Sequence, residues 1–426
     1  MKRRWWVAVL LVGAGLCLGR AVNLEARREA ADANDELYKE LELFEHALSI
    51  VRSDYVEEPD SKQLMYGALK GMLATLDPYS QFLDPDSYNE LRVETEGEFG
   101  GLGIEITIKD DLLTIISPID DTPAYRAGLK PGDRIVKIDG EITRGITLLE
   151  AVKKLRGEPR TPVVLTILRE GDNELKDVSV TRDIIKIESV RDAKILEEHV
   201  GYIRVSDFRE GTSRDLTDAL ARLKDEGMHG LIVDVRNNPG GLLDVAVTVT
   251  ELFLRRDEVV VSTKGRLRNQ NLEYRARRDG TVNGQPVVVL INEGSASASE
   301  IFAGAIQDHK RGILIGEKSH GKGSVQTVFP MKDGSALRLT TSKWFTPSGR
   351  PIHDTGITPD VVVPFEAPPE PKEDGGQKAE DVFEKVNRED GETPEAPKAP
   401  LDNQLARALD LVKALNVYET QEHTTR

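Results

Sequence analysis

A chain of 426 residues with 39% hydrophobic side chains can fill two or three packed domains. Its net charge of -16 argues against a nucleic-acid binder, which needs a basic face. The one cysteine, Cys17, lies near the N-terminus, so the rest of the chain has no disulfide, no thiolate metal site and no cysteine nucleophile.

Met1-Lys2-Arg3-Arg4 is basic, and Trp5 to Leu18 is apolar but short for a membrane span. Gly19-Arg20-Ala21 offers small residues for cleavage, so residues 1–21 read as a secretory signal, with an uncleaved anchor as the alternative. The bulky Leu16 before Cys17 argues against lipid attachment. An exported, acidic, cysteine-free chain points to a bacterial periplasm.

Residues 35–95 read as helices. Leu37, Leu41, Phe44, Leu48 and Val51 recur at helical spacing, Gln63 to Leu76 forms a second helix ended by Asp77-Pro78, and Asp84-Pro85-Asp86-Ser87 caps a third. This region carries no chemical constellation, and packing or dimerisation is its expected role.

Residues 97–172 change character. Gly100-Gly101-Leu102-Gly103-Ile104-Glu105-Ile106 opens on glycines and becomes an alternating strand, and Leu112 to Ile116 is another. Pro123 to Leu129 is a short helix stopped by Gly128, Pro131-Gly132-Asp133 a turn, and Arg134 to Ile138 a strand ending in Asp139-Gly140. An amphipathic helix over Thr147 to Leu155 and a strand over Pro162 to Leu168 close the unit. The stretch resembles a bacterial PDZ domain through Gly101-Leu102-Gly103-Ile104, Ala127-Gly128-Leu129-Lys130-Pro131-Gly132-Asp133 and Ile138-Asp139-Gly140. Gly101 to Ile104 are then the expected nest for a peptide carboxylate, with the following strand free to pair with an extended peptide.

Residues 176–364 alternate strands and helices, an α/β pattern. Val200 to Val205 is a strand, Thr212 to Glu226 a helix, and Gly230 to Val235 a strand running into Arg236-Asn237-Asn238-Pro239-Gly240-Gly241. A helix follows over Asp244 to Leu254. Pro286 to Asn292 is the strand before Glu293-Gly294-Ser295-Ala296-Ser297-Ala298-Ser299-Glu300, and Ala298 to Gln307 the helix after it. Gly312 to Gly316 is a strand before Gly321-Lys322-Gly323-Ser324-Val325-Gln326. Residues 365–400, with eleven acids, five bases and six prolines, read as a solvated, disordered linker, and 401–426 as a C-terminal helix and tail.

Ser297 sits where an apolar strand meets a helix start, at the carboxyl end of an α/β sheet. Helix-start N–H groups, Ala298 N–H first, can stabilise an oxyanion. Ser297-Ala298-Ser299-Glu300 also matches a capping box, so Ser297 could equally cap the helix. Lys322 lies between two glycines. An ordinary lysine, with a pKa of about 10.4, is protonated at neutral pH, but burial can lower that to roughly 7–8 and free the amine as a base. Gly316-x4-Gly321-Lys322 also opens like a phosphate-binding loop, although Gly323 stands where Ser or Thr should hold magnesium and a strand, not a helix, is expected next. Glycines 240 and 241 can point N–H groups at a carbonyl oxygen, or form only a tight turn. Gln326 could orient the lysine amine. His309, His320 and His353 have no orienting acid with motif support for a triad, and their spacing suggests no metal site.

Together these segments resemble the carboxyl-terminal processing peptidases, also called tail-specific proteases, from about residue 37 to 364 and more weakly over Leu401 to Leu415. The motifs are Leu76-Asp77-Pro78, Gly97 to Ile104, Asp234 to Gly241, the serine cluster, the lysine loop and Gly356-Ile357-Thr358-Pro359-Asp360. Tyr79 departs from the pattern, where histidine is common. The resemblance implies a multidomain α/β chain with a PDZ domain and a protease core of the ClpP/crotonase-like type. It implies a Ser-Lys dyad of Ser297 and Lys322, Gln326 as helper, and oxyanion donors from Ala298 and Gly240-Gly241. It implies PDZ recognition of substrate C-termini, gating through Arg156, no metal and no cofactor. The expected partners are protein substrates with accessible C-termini, a lipoprotein adaptor, and further copies of the chain held through the terminal helices. A catalytically inactive PDZ adaptor and a crotonase-like acyl-CoA enzyme are the alternatives.

Overall fold

The computed structural model describes residues 35–109, 111–169, 174–282, 284–366 and 402–424, the last six of these by backbone alone. The segment expected to direct export, most of the expected acidic linker and Leu401 fall outside the described residues. The chain divides into two units, Met1–Phe82 and Leu83–Arg426. In the first, a helix over 35–54 precedes the helix Ser61–Ala74. Asp60 caps the second helix through the N–H of Lys62 and Gln63. It ends two residues earlier than its apolar pattern predicts, because Asp77 Oδ1 gathers the N–H of Tyr79 and Ser80, both at 2.8 Å, into a turn. Leu37, Leu41 and Phe44 are exposed. Among the described residues no helix is long and apolar enough to cross a membrane.

The second unit opens with the helix Pro85–Glu96, capped by Asp84 and closed by Gly97 in the left-handed region. A two-stranded ribbon, Glu98–Gly101 against Asp183–Lys186, brackets an antiparallel sheet. That sheet runs in the order Ile104–Lys109, Leu112–Pro118, Arg134–Ile138, Pro162–Leu168 and Lys176–Thr181. Alternation along these strands, with a register shift between Ile135 and Lys137, puts Leu113, Ile115, Ile135, Ile138, Val163, Leu165 and Ile167 into one core with Ala151 and Leu155 of the helix Leu148–Leu155. The fully buried Asp133 anchors its turn on Arg169 through two 2.7 Å contacts and on the Lys130 N–H.

The rest of the unit is built on a six-stranded sheet in the order Val190–Ile195, Val200–Val205, Gly230–Asp234, Val287–Ile291, Ile313–Gly316 and Val361–Val362. All its pairings are parallel except the first. The central strands are buried on both faces, as parallel strands must be. One face, with Ile203, Val233, Val289 and Leu314, meets the helices Thr212–Asp225, Leu243–Glu251 and Ala298–Asp308. The other, with Tyr202, Ile232, Val288 and Leu290, meets Leu405, Ala408, Leu409 and Val412 of the C-terminal helix Asn403–Thr424. Asp402 ties that helix down by a two-pronged pair with Arg236, both contacts at 3.0 Å, and Arg236 in turn holds the buried Asp234. The inner apolar face of the C-terminal helix, expected to serve assembly, is thus engaged on its own sheet, while Val417 and Tyr418 stay exposed.

Candidate active site

Three neighbouring parallel strands end side by side, and the loop after each brings one group of residues to the site. Gly230–Asp234 leads into Asn237 to Gly241, Val287–Ile291 into the serine turn, and Ile313–Gly316 into the lysine loop. The first two loops are laced together. Ser295 Oγ donates to Val235 O at 2.7 Å, Ala296 N–H to Asn238 O at 3.0 Å, and Ser299 Oγ to the same carbonyl at 2.9 Å. Asn292 Oδ1 accepts from Asn237 N–H at 2.8 Å, and its Nδ2 donates to Asn237 Oδ1 at 2.9 Å.

Glu300 joins the serine turn to the lysine loop. It is fully buried in the first turn of the helix Ala298–Asp308. Its Oε2 accepts from Ser297 N–H at 2.8 Å and Lys322 N–H at 2.9 Å, and its Oε1 from Ser319 Oγ at 2.6 Å and Gly321 N–H at 2.7 Å. Four donors satisfy a carboxylate that could not otherwise be buried. Glu300 thereby supplies its half of the capping box expected at Ser297. Glu300 N–H bonds the Ser297 carbonyl at 2.9 Å, and the Ser297 side chain makes no cap hydrogen bond. The backbone at Ser297 has φ 55° and ψ −112°, a conformation that costs a side-chain-bearing residue about 1–3 kcal/mol and concentrates at functional turns.

Ser297, Ala298, Lys322, Gln326, Gly240 and Gly241 all line one cavity of about 380 Å³. Gly240 has no room for a side chain: a Cβ there would lie 2.8 Å from Ser297 Cβ and 2.9 Å from Ala298 N. Its absence keeps the space before the helix start open. The N–H of Gly240 is already engaged by Asn238 Oδ1 at 2.9 Å, whereas that of Gly241 has no bond among the described residues. Of the two glycines expected as donors, Gly241 is therefore the available one. Ala298 N–H, at the first helical position, has no intrahelical acceptor.

Burial lowers the pKa of Lys322, and the charge of Arg338 lowers it further, while Glu300 and Glu94 oppose the shift. Gly323 lets the loop pass close to residue 353, where a Cβ would lie 2.3 Å from His353 N. Trp344 Nε1 fixes the Lys322 carbonyl at 3.1 Å. After the loop comes the strand Ser324–Pro330, so the helix that a phosphate-binding loop requires is absent there. Gln326 lines the cavity, with its Nε2 donating to Ser324 Oγ at 3.0 Å and its Oε1 accepting from Thr340 at 3.2 Å. No described histidine lines the cavity, and the His309 ring sits 2.7 Å from Val259 O.

Gly101, Leu102, Gly103 and Ile104 line a second, smaller cavity of about 90 Å³ together with Val152, Leu155, Phe99 and Arg156. The Arg156 guanidinium stacks over the Phe99 ring at 4.5 Å. Arg156 also faces a third cavity bounded by Glu90, Glu94 and Arg209, and Glu94 and Arg209 line the cavity of Ser297 as well. Sequence reading missed Arg209, Arg338 and the bridging role of Glu300. Only the last had a signal, since a glutamate in an otherwise apolar helix start must find partners.

Comparison with known proteins agrees with this layout. Residues 199–363 match the model of peptidase family S41, 114–169 that of a PDZ domain, and 16–87 that of the activating protease CtpB N-terminal domain. The carboxy-terminal-processing protease of Bartonella bacilliformis is 44% identical over 359 residues, covering 83% of this chain and 82% of its own. The carboxyl-terminal-processing protease of Synechocystis is 37% identical over 377 residues, covering 85% and 88%. Among solved structures, the photosystem II D1 C-terminal processing protease is 31% identical with a TM-score of 0.44, covering 75% of this chain and 86% of its own. The chain belongs to peptidase family S41 and is a serine-type peptidase of the carboxy-terminal-processing group, with a PDZ domain beside its protease core.

Proposed function

We propose that this peptidase cleaves protein tails through a Ser297–Lys322 dyad. The observation that carries this reading is that both residues line one cavity and that Glu300 holds their backbone N–H groups on a single carboxylate oxygen. Lys322, whose pKa burial lowers, takes the proton of Ser297 Oγ as that oxygen attacks the scissile carbonyl. The tetrahedral oxyanion is held by the N–H groups of Ala298 and Gly241. Lys322 returns the proton to the leaving amine, the acyl-enzyme forms, and a water activated by the same amine releases it. Gln326 turns its Oε1 from Thr340 toward the lysine when substrate is bound.

The substrate C-terminus adds to the PDZ sheet at Gly101 to Ile104, with its carboxylate in the glycine nest. Arg156, between that groove and the cavity flanked by Glu94 and Arg209, reports occupancy to the protease core. The proposed organisation is a signal or anchor over 1–21, helices over 35–95, the PDZ domain over 97–172, the core over 176–364, the linker over 365–400 and the tail helix beyond. We place the enzyme in the periplasm, assembled through its terminal helices and served by a lipoprotein adaptor.

Cleavage of an unstructured protein such as casein tests the dyad. Ser297→Ala and Lys322→Ala each lower turnover on the order of 10⁴-fold or more while the circular dichroism spectrum is retained. A folded variant of either kind with wild-type activity rules the dyad out.

A further inference from the structure

Among the described residues, two of the buried side-chain atoms without a hydrogen-bond partner are guanidinium nitrogens, Nη1 of Arg209 and Nε of Arg338. Both arginines line the cavity that holds Ser297 and Lys322. An unsatisfied donor is costly to bury, and a charged one more so, so a pair of them in one cavity suggests acceptors that arrive with the substrate. Arg209 is already partly engaged, by Asp207 at 3.0 Å and by Glu94 O at 2.9 Å. Arg338 is the freer of the two, and its position is well defined. It lies on the strand Ala336–Phe345, paired with Val328, two residues before Thr340. Since side chains alternate along a strand, Arg338 and Thr340 share a face, the one on which Thr340 bonds Gln326.

The carboxylates of the same cavity are Glu94 and Asp207, and Asp207 also accepts from Ser189 and Ser206. A guanidinium is a poor match for an apolar substrate side chain but fits a carboxylate, with which it forms short, charge-assisted, two-pronged bonds. We propose that Arg338 is a specificity residue that receives a carboxylate of the bound substrate beside the scissile peptide. The carboxylate is either the free terminus of a short tail or an Asp or Glu side chain. The proposal rests on the Ser297–Lys322 reading, because that reading makes this cavity the place where the peptide is cut. It extends that reading by giving the protease core a chemical preference of its own, separate from the tail recognition of the PDZ groove.

Matched peptides test it on the full chain. Each peptide carries one bond that the wild type cleaves. The series exchanges Glu for Gln at each position flanking that bond, and a free terminal carboxylate for a carboxamide. The wild type prefers at least one carboxylate member by about tenfold or more in kcat/KM, the scale of one charge-assisted hydrogen bond. The arm that discriminates identifies which carboxylate is read. Arg338→Gln brings that ratio to about one, and Arg338→Lys keeps part of it, which separates lost recognition from lost folding. A wild-type ratio near one in every arm, or a ratio unchanged in Arg338→Gln, overturns the proposal and leaves the dyad standing. Cleavage surviving in Ser297→Ala overturns the dyad instead, and the ratio can still be read.

Discussion

The cavity of Ser297 and Lys322 and the groove of the PDZ domain are built in opposite ways. The first has about 380 Å³, walls from three strand ends, and a buried carboxylate that ties its loops together. The second has about 90 Å³, is lined by apolar side chains and glycine backbone, and has an aromatic ring with a guanidinium stacked upon it. Chemistry needs groups fixed before substrate arrives, because donors that must reorganise stabilise little in the transition state. Tail recognition, as proposed for the PDZ domain, needs only a strand edge and a nest.

The comparison breaks most visibly at Glu300. In Glu300→Gln one of the two acceptor oxygens becomes a donor facing N–H or O–H groups. Turnover is expected to fall by about 10²-fold and stability by about 3 kcal/mol, since charged acceptors are replaced by unsatisfied donors. Chemical denaturation beside casein hydrolysis checks both. If activity falls without any change in stability, the carboxylate is not the clamp described here.

The PDZ side gives a smaller effect of a different kind. Phe99→Ala removes the ring that lines the groove and supports Arg156. Binding of tail peptides to the Ser297→Ala protein, followed by fluorescence anisotropy, should shift toward larger terminal side chains by about tenfold, the scale of a few methylenes in an apolar pocket. An unchanged preference would mean that the terminal residue is read elsewhere.

The smallest effect is electrostatic. With Lys322 as the proposed general base, which works when neutral, kcat/KM is expected to rise with pH through a pKa below the ordinary lysine value. Glu94 raises that pKa, so Glu94→Gln moves the acid limb of the profile toward lower pH. Arg338 lowers it, so Arg338→Gln moves the limb the other way. Coincident profiles for the two variants would separate the limb from Lys322.

Much of this was legible in the chain itself. The strands Val200–Val205, Arg134–Ile138 and Pro162–Leu168 lie where apolar runs and glycine turns put them, because local period and turn chemistry act within a few residues. Ser297 and Lys322 stood out as residue types in unusual company, and the order of motifs supplied the family. Other features were hidden. The strand Ala336–Phe345 carries Arg338, Ser342 and Lys343, a mixed pattern that became a strand only through pairing with Ser324–Pro330 and Val259–Gly265. Such pairing is long-range and leaves little local trace.

The sequence alone determined which groups could react, where the main turns fall and which segments bury apolar faces. These depend on side-chain chemistry and on periods of two and 3.6 residues. Only the tertiary structure decided that the backbone N–H groups of Ser297 and Lys322 meet on the Glu300 carboxylate. It also decided that Gly240 is engaged by Asn238 while Gly241 is not, and that Arg338 lines the same cavity as Ser297 and Lys322. The physical reason is common to all three. Each depends on which distant groups reach a buried polar atom first, and burial makes that competition strict.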